Sequence, residues 1–304
     1  MSTEFENVVV VGVTGAGENT AALRFAVDYV QRHGSTVHLV HVLHELLPPS
    51  PRQVFTYGDP KSVGERLVAA AEAELTEIAR QMDVPVESKS TIADGAPARV
   101  LAAIGADARL VAVQHRSISR LTRVFTGSTA ARLATRAVVP VVSVPSHWQP
   151  ASTPGRVTVG IHENGGPREV LVAAFEAAAD LEATLHVVHA WRIDSMYADL
   201  IEEGVDEAWK GRAAEHLRSH VESVRTDYPT VNYELEVLHS WPEEALMRAA
   251  ETSDRVVVGR HGSAALEPEH LGHLAQMLIR EAACPVLVVP PGKPPQALAT
   301  PVQV

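Results

Sequence analysis

The chain contains two copies of one sequence pattern. Residues 36–42 (TVHLVHV) recur as residues 184–190 (TLHVVHA), 148 positions further along, and Gly12 matches Gly160 at the same spacing. A repeat of this length is as large as a typical domain, which contains roughly 100 to 150 residues. The sequence therefore predicts that its 304 residues fold as two similar domains in tandem.

Proline-rich segments indicate where each copy ends. Three prolines lie between residues 145 and 155, and four lie between residues 290 and 295. Proline lacks the backbone N–H that strands and helices need, so both segments are expected to lie outside the domains. We predict a first domain at residues 1–145, a linker at residues 146–155, a second domain at residues 156–290 and a tail at residues 291–304.

Valine-rich runs of strand length alternate with longer amphipathic stretches in the first copy, which is typical of a parallel sheet between helices. The predicted strands lie near residues 8–13, 37–42, 86–92, 109–113 and 141–144. The predicted helices lie near residues 20–32, 61–81, 96–104 and 128–136. Because crossovers between parallel strands are right-handed, we predict an α/β fold: two repeated doubly wound domains, each with a five-stranded mostly parallel sheet of order 3-2-1-4-5 and helices on both faces.

The composition disfavours several classes of partner. There are 37 acidic against 26 basic residues, and the net charge of -11 disfavours binding to nucleic acid or to an anionic membrane. Cys284 is the single cysteine of the sequence, so it cannot form an internal disulfide, and Glu4 and Glu6 lie where a signal peptide needs positive charge. We therefore expect a cytoplasmic protein with no nucleic-acid partner and no membrane partner.

Two loops of each copy are placed to contact a ligand. In a doubly wound sheet, ligands bind beyond the carboxyl ends of strands 1 and 4, where the strand order reverses. The loops that follow these strands begin at Thr14 and Gln114 in the first copy and at His162 and Gly259 in the second. We therefore predict that any ligand touches these loops.

The second copy carries a glycine pattern typical of a phosphate-binding loop. Gly259 and Gly262 directly follow the predicted strand 4, and nine residues later Gly272 and His273 open a helix. Glycines let backbone amides approach a ligand closely, and the N–H groups at a helix start attract anions. The same glycines also suit ordinary turns and helix starts, so the pattern leaves both interpretations open.

The first copy keeps this spacing but lacks the two leading glycines. Gln114 and Ser117 take their places, while Gly127, Ser128 and Thr129 match the rear half of the pattern. Side chains at residues 114 and 117 would intrude where amides must approach a phosphate. Ser128 and Thr129 suit either a phosphate or an unliganded helix cap.

The charges of the two loops favour the opposite copy. The first loop carries Arg116, Arg120 and Arg123 and no acid, whereas the second carries Glu267 and Glu269 against one arginine. Exposed charges of this kind are screened and contribute about 1 kcal/mol or less, so the steric argument outweighs them. We predict that a nucleotide, if one binds, occupies the second copy.

Over nearly its whole length the chain resembles the universal stress proteins in their tandem two-domain form. Nucleotide-binding members of that family carry G-x2-G-x9-G-[ST] after strand 4, which the second copy resembles, and an Asp at the end of strand 1. Residues 94–97 (DGAP) resemble the family's turn into the third helix. The chain departs from the family at Thr14 and His162, which replace the Asp, and at His273, which replaces the hydroxyl residue.

The resemblance implies a regulatory protein of the stress response that binds or senses ATP and is not an enzyme. The implied nucleotide-binding residues are Gly259, Gly262, Gly272, His273, His162, Gly127, Ser128, Thr129 and Thr14. The alternative is a scaffold with degenerate pockets that acts through dimerisation or partner contact. We expect neither a metal site nor a redox cofactor, because the histidines have no acid or thiol set at a recognised ligand spacing.

Each copy ends in a valine-rich strand, at residues 138–144 and 285–289. An exposed apolar edge strand promotes aggregation unless another element covers it. Dimeric members of the family join through their closing strands, so the resemblance implies that the two copies pair there as an internal pseudo-dimer. A further homodimer and the identity of a protein partner stay open.

Overall fold

A computed structural model describes residues 7–15, 17–43, 59–115, 129–151, 155–162, 168–191, 205–260 and 271–292, with backbone alone at residues 205–209. The first repeat contains β1 (Val8–Val13), α1 (Thr20–His33), β2 (Thr36–Leu43), α2 (Pro60–Met82), β3 (Ser88–Asp94), α3 (Pro97–Ile104), β4 (Leu110–His115), α4 (Thr129–Arg136) and β5 (Val141–Pro145). The second contains β6 (Arg156–Gly160), α5 (Arg168–Asp180), β7 (Thr184–Trp191), α6 (Val205–Arg225), β8 (Tyr233–His239), α7 (Pro242–Ala250), β9 (Arg255–Gly259), α8 (His273–Glu281) and β10 (Val286–Val289). The strands and helices predicted for the first repeat are confirmed, with bounds within about two residues.

The described strands form one ten-stranded sheet in the order β3-β2-β1-β4-β5-β10-β9-β6-β7-β8. Neighbouring strands of the same repeat are parallel, and the predicted order 3-2-1-4-5 is confirmed in both repeats. The repeats meet where β5 and β10 pair antiparallel, with Val142 opposite Leu287. The two closing strands therefore cover each other's edges and join the two five-stranded sheets into one.

Helices cover both faces of this sheet, so successive residues of a central strand are buried on opposite sides. Val9 belongs to a cluster that contains Phe25 of the first repeat and Phe175 of the second. Val10 belongs to the cluster on the other face, which contains Leu133 and residues of the second repeat. The apolar core is therefore continuous across the seam on both faces of the sheet.

Two matched glycines let a helix approach the first strand of each repeat. A Cβ on Gly12 would lie 2.9 Å from Cδ1 of Leu101 in α3. A Cβ on Gly160 would clash with Cδ1 of Leu246 in α7. Because both leucines are almost fully buried, neither can turn away at low cost. The repeated glycine is thus explained by close helix packing.

Substitution of Gly160 tests this packing. Gly160→Ala should lower the free energy of unfolding by about 1–3 kcal/mol, because the added methyl group overpacks the contact with Leu246. Gly211→Ala is the matched control: this exposed glycine of α6 has open space around it, so alanine should raise the free energy of unfolding by about 0.5–1 kcal/mol. Urea unfolding measures both values, and equal stability of the two variants would contradict the close approach.

Ionisable side chains from both repeats meet at the seam beside α1 and α5. Nε2 of His33 lies 3.0 Å from Oδ2 of Asp180. One turn earlier in α5, burial raises the pKa of the Glu176 carboxyl to about 7, and the Asp180 carboxylate adds to this rise. Arg109, His33 and a hydrogen bond donated by Tyr228 oppose it. Glu176 therefore holds a proton more tightly in the folded chain than in the unfolded chain.

The raised pKa predicts that the free energy of unfolding falls as the pH rises from about 4.5 to about 7. Over this range the folded state must give up a proton that burial retains. Glu176→Gln should remove this part of the pH dependence and stabilise the protein above pH 7 by up to about 3 kcal/mol. Denaturant unfolding at about pH 5 and about pH 8 checks it, with the exposed Glu215→Gln as control. The same pH slope in parent and Glu176 variant would rule out the effect.

Candidate functional site

The first and fourth strands of each repeat are neighbours in the sheet, so their carboxyl ends lie side by side. β1 pairs parallel with β4, and β6 pairs parallel with β9. Thr14 and Gln114 therefore lie at one carboxyl edge of the sheet, and His162 and Gly259 lie at the corresponding edge of the second repeat. The structure brings together the strand ends that the strand order predicted. The predicted loop start at Gln114 is wrong, because β4 extends through this residue to His115. The loops at residues 116–128 and 261–270 lie outside the described residues.

In the first repeat the Gln114 side chain occupies the start of α1. Its Oε1 accepts hydrogen bonds from the backbone N–H groups of Ala21 and Ala22, at 2.8 and 3.2 Å. The N–H groups of a first helical turn have no carbonyl partner within the helix, which is why they attract anions. An anion can reach these two only by displacing Gln114. The side chain of residue 114 therefore intrudes as predicted, and its contact is this pair of hydrogen bonds to the start of α1.

Thr14 is held by hydrogen bonds within its own loop. Oδ1 of Asn19 accepts from Thr14 N at 2.9 Å and from Thr14 Oγ1 at 3.2 Å, and Nδ2 of Asn19 donates to Gly15 O at 2.9 Å. Asn19 is 2% exposed, so it closes the loop from the inside. Sequence analysis missed this residue. Its signal is an asparagine just before a helix, which is a preferred capping position, although here the side chain bonds to the loop.

The second repeat has no side chain at the position matched to Gln114. Gly259 ends β9, and Gly272, which has no side chain, takes the N-cap position directly before α8. The N–H of Gly272 donates to Arg260 O at 3.0 Å. Because Arg260 directly follows Gly259, Gly259 and Gly272 lie close together at the carboxyl edge of the sheet. Gly262 and the other residues from 261 to 270 lie outside the described residues.

The remaining predicted site residues lie at the helix starts. Thr129 opens α4 and is exposed, while Gly127 and Ser128 lie outside the described residues. His273 opens α8 with its side chain 81% exposed, and its Nδ1 lies 3.4 Å from Oε1 of Glu243. The residue that replaces the family's hydroxyl therefore lies next to a carboxylate.

A histidine that recurs in the two repeats holds the loop after each first strand. Nδ1 of His41 donates to Val13 O at 3.0 Å, and Nδ1 of His189 donates to Ile161 O at 3.1 Å. His162 lies edge-on to His189, with 6.4 Å between the ring centroids. His41 and His189 therefore position the loops structurally, and their recurrence was the sequence signal for it.

Arg260 follows Gly259 directly, yet it is engaged by the first repeat. Its Nη1 donates to the carbonyl oxygens of Ala134, Thr135 and Ala137, at 3.4, 2.8 and 3.0 Å. These carbonyls lie at the C-terminal end of α4, where the helix dipole is negative. The single arginine of the second loop therefore joins the two repeats through Nη1 of its guanidinium, while its buried Nε has no hydrogen-bond partner among the described residues.

Metal and thiol chemistry have little support among the described side chains. They contain no group of three or more His, Cys, Asp and Glu that could hold a metal ion; His261 and His270 lie outside the described residues. Burial raises the pKa of the Cys284 thiol to about 12, so the thiolate that acts as a nucleophile is scarce at neutral pH. Of the described helices, none has both the length and the apolar character needed to cross a membrane.

Comparison with known proteins shows the same two-domain arrangement. The model of the universal stress protein family matches residues 7–145 and residues 154–290. A universal stress protein of Mycobacterium tuberculosis is 28% identical over 286 residues, covering 92% of this chain and 96% of the relative. One of Mycolicibacterium smegmatis is 26% identical over 289 residues, covering 93% and 97%. A solved universal stress protein from Archaeoglobus fulgidus shares the fold, with a TM-score of 0.68 at 15% identity over 94% of this chain and 99% of that one. Because the family model matches both repeats, the chain belongs to the universal stress protein family.

Proposed function

We propose that the chain is a regulatory protein of the stress response that binds an adenine nucleotide, with ATP as the first candidate, in its second repeat and without catalysis. The observation that carries this proposal is the difference between two matched positions. Gln114 fills the start of α1 in the first repeat, whereas the matched Gly259 has no side chain that could fill the start of the matched helix α5 in the second. The repeats share a fold, and this difference supports one open pocket and one closed pocket.

Backbone amides are the groups that bind the phosphates in this proposal. Gly272 at the start of α8 has no side chain, so it does not itself compete with a phosphate for the first N–H groups of the helix. At Gly259 the missing Cβ lets a phosphate approach the main chain. The preference for adenine rests on the family resemblance, since the described side chains of the second repeat do not identify a base.

The surrounding charges make amide contacts more important than long-range attraction. Glu243 and Glu244 lie in the first turn of α7, and Glu243 lies beside His273. Arg260 is directed to the seam, where its Nη1 donates to carbonyl oxygens of the first repeat. We therefore expect the affinity to depend only weakly on salt, because short contacts in a pocket are screened less than exposed charges.

A scaffold without nucleotide is the second candidate, and a separate observation favours it. Thr14 and His162 replace the acid that nucleotide-binding members carry, and Thr14 is engaged with Asn19. In this case both pockets are degenerate, and the protein acts through dimerisation or partner contact.

Calorimetric titration of the full chain with ATP, ADP and AMP distinguishes the two candidates. Gly259→Gln places the first repeat's side chain at the matched position of the second repeat, so ATP affinity should fall at least about tenfold because the added side chain takes up the space that the missing Cβ leaves for a phosphate. No heat of binding from the parent protein at millimolar nucleotide would support the scaffold and overturn the nucleotide proposal.

Gln114→Ala is the matched control for this experiment. It empties the closed pocket of the first repeat and leaves the second repeat unchanged, so affinity at the original site should stay the same. Far-ultraviolet circular dichroism of both variants establishes that they are folded. If Gly259→Gln bound ATP as tightly as the parent, the second repeat would not be the nucleotide site.

A further inference from the structure

A cleft of about 230 Å³ lies between the two repeats, at the edge of the sheet opposite to the proposed nucleotide site. Arg255, which lines it, is the first residue of β9, whereas Gly259 is the last. The cleft is lined by Asp28 and Arg32 of α1, Trp148 of the linker, and Asp180, Asp254 and Arg255 of the second repeat. Both repeats thus contribute charged side chains to it.

The guanidinium of Arg255 lacks the partners that a buried charge requires. Arg255 is 6% exposed, and its Nε is buried without a hydrogen bond. It forms no hydrogen bond or ion pair with any of the described residues; it lies over the Phe25 ring, 5.2 Å from the centroid. Burial lowers its pKa. The nearby Asp180 and Asp28 carboxylates oppose this fall in pKa, although neither forms a hydrogen bond or ion pair with Arg255. Desolvation of a buried charge costs several kcal/mol, which these carboxylates offset only in part.

Three of the four carboxylates that line the cleft with Arg255 lie against other groups, and the fourth, that of Glu182, belongs to an exposed residue. Asp28 Oδ1 lies 2.6 Å from Arg32 Nη2, Asp180 Oδ2 lies 3.0 Å from His33 Nε2, and Asp254 Oδ2 accepts from Arg156 N at 2.9 Å. Each of these carboxylates keeps further lone pairs, because an ionised carboxylate accepts up to about four hydrogen bonds. The cleft therefore presents one unpaired donor group beside acids with spare acceptor capacity.

We infer that this cleft binds a small zwitterion that carries one carboxylate and one ammonium group, the chemistry of a free α-amino acid. The carboxylate pairs with the forked donors of Arg255. The ammonium group pairs with the spare lone pairs of Asp28 and Asp180. The Trp148 ring lines the same cleft and attracts the ammonium group through a cation–π interaction. A purely anionic ligand would face several carboxylates, and a purely cationic one would leave Arg255 unpaired.

The size of the cleft agrees with this class of ligand. A volume of about 230 Å³ is below the range of roughly 300 to 1,000 Å³ that is usual for drug-sized molecules. Because α1 and α5 both border the cleft, a bound zwitterion would link the two repeats and stabilise the folded chain. This inference is independent of the proposed nucleotide site.

Thermal unfolding of the full chain tests the inference with the common α-amino acids, each added at millimolar concentration. At least one should raise Tm by a few degrees, because a ligand that binds only the folded state stabilises it. The carboxamide of that amino acid lacks the carboxylate, and its N-acetyl form lacks the ammonium group. Neither should raise Tm. No shift with any amino acid, or equal shifts with the blocked forms, would overturn the inference.

Arg255→Met links the effect to this cleft. It should abolish the shift in Tm and weaken binding at least about tenfold by calorimetry, while the unliganded variant stays as stable as the parent or more so because an unpaired buried charge is gone. Arg260→Met is the matched control on the other face of the seam. It loses hydrogen bonds to three carbonyl oxygens, so it should lower Tm yet keep the response to the amino acid.

Arg255→Lys keeps the charge but loses the forked donors, and it covers the case in which Arg255→Met does not fold. This variant should fold and bind the amino acid at least about tenfold more weakly than the parent. Full binding by either folded Arg255 variant would contradict the inference.

Discussion

The antiparallel pairing of β5 with β10 is the contact on which the rest of the structure depends. Each strand is valine-rich, and Val142 and Leu287 lie opposite each other in the middle of the ten-stranded sheet. Without the pairing, each repeat would expose an apolar edge strand, which invites aggregation. With it, helices of both repeats share two continuous apolar cores, and polar side chains such as Arg260 and Arg255 can act across the boundary.

The seam allows two copies of one fold to take different roles. Positions 114 and 259 are matched in sequence and lie at matched edges of the sheet. A glutamine at the first position satisfies the N–H groups at the start of α1, and a glycine at the second provides no such side chain. Function can therefore diverge between the repeats through one side chain, while the buried residues of both continue to stabilise the common sheet.

The sequence predicted what depends on repeating patterns. Alternating valine-rich and amphipathic runs located the strands and helices, the repeat established the tandem arrangement, and the closing strands at 138–144 and 285–289 indicated the seam. These features depend on local periodicity and on edge strands that need a partner. A short stretch of sequence is enough to recognise each of these features.

The sequence did not predict contacts between side chains and partners that lie far apart along the chain. Arg260 was counted as a charge of the second loop, but it donates to carbonyls at the end of α4, more than a hundred residues earlier. Gln114 was read as bulk alone, whereas it caps α1. Arg255 gave no signal at all, because its burial against Phe25 arises only when the repeats pack together. The domain boundaries and the nucleotide-binding role of each site residue stay predictions.

Counting the nucleotides bound to one chain tests most directly the claim that the repeats have diverged into one open and one closed pocket. Native mass spectrometry of the intact protein in saturating ATP resolves chains that carry none, one or two nucleotides. The proposed function predicts a single bound nucleotide per chain at saturation. Two nucleotides per chain would show that Gln114 does not close the first pocket, and none would show that the glycines of the second repeat serve the fold alone.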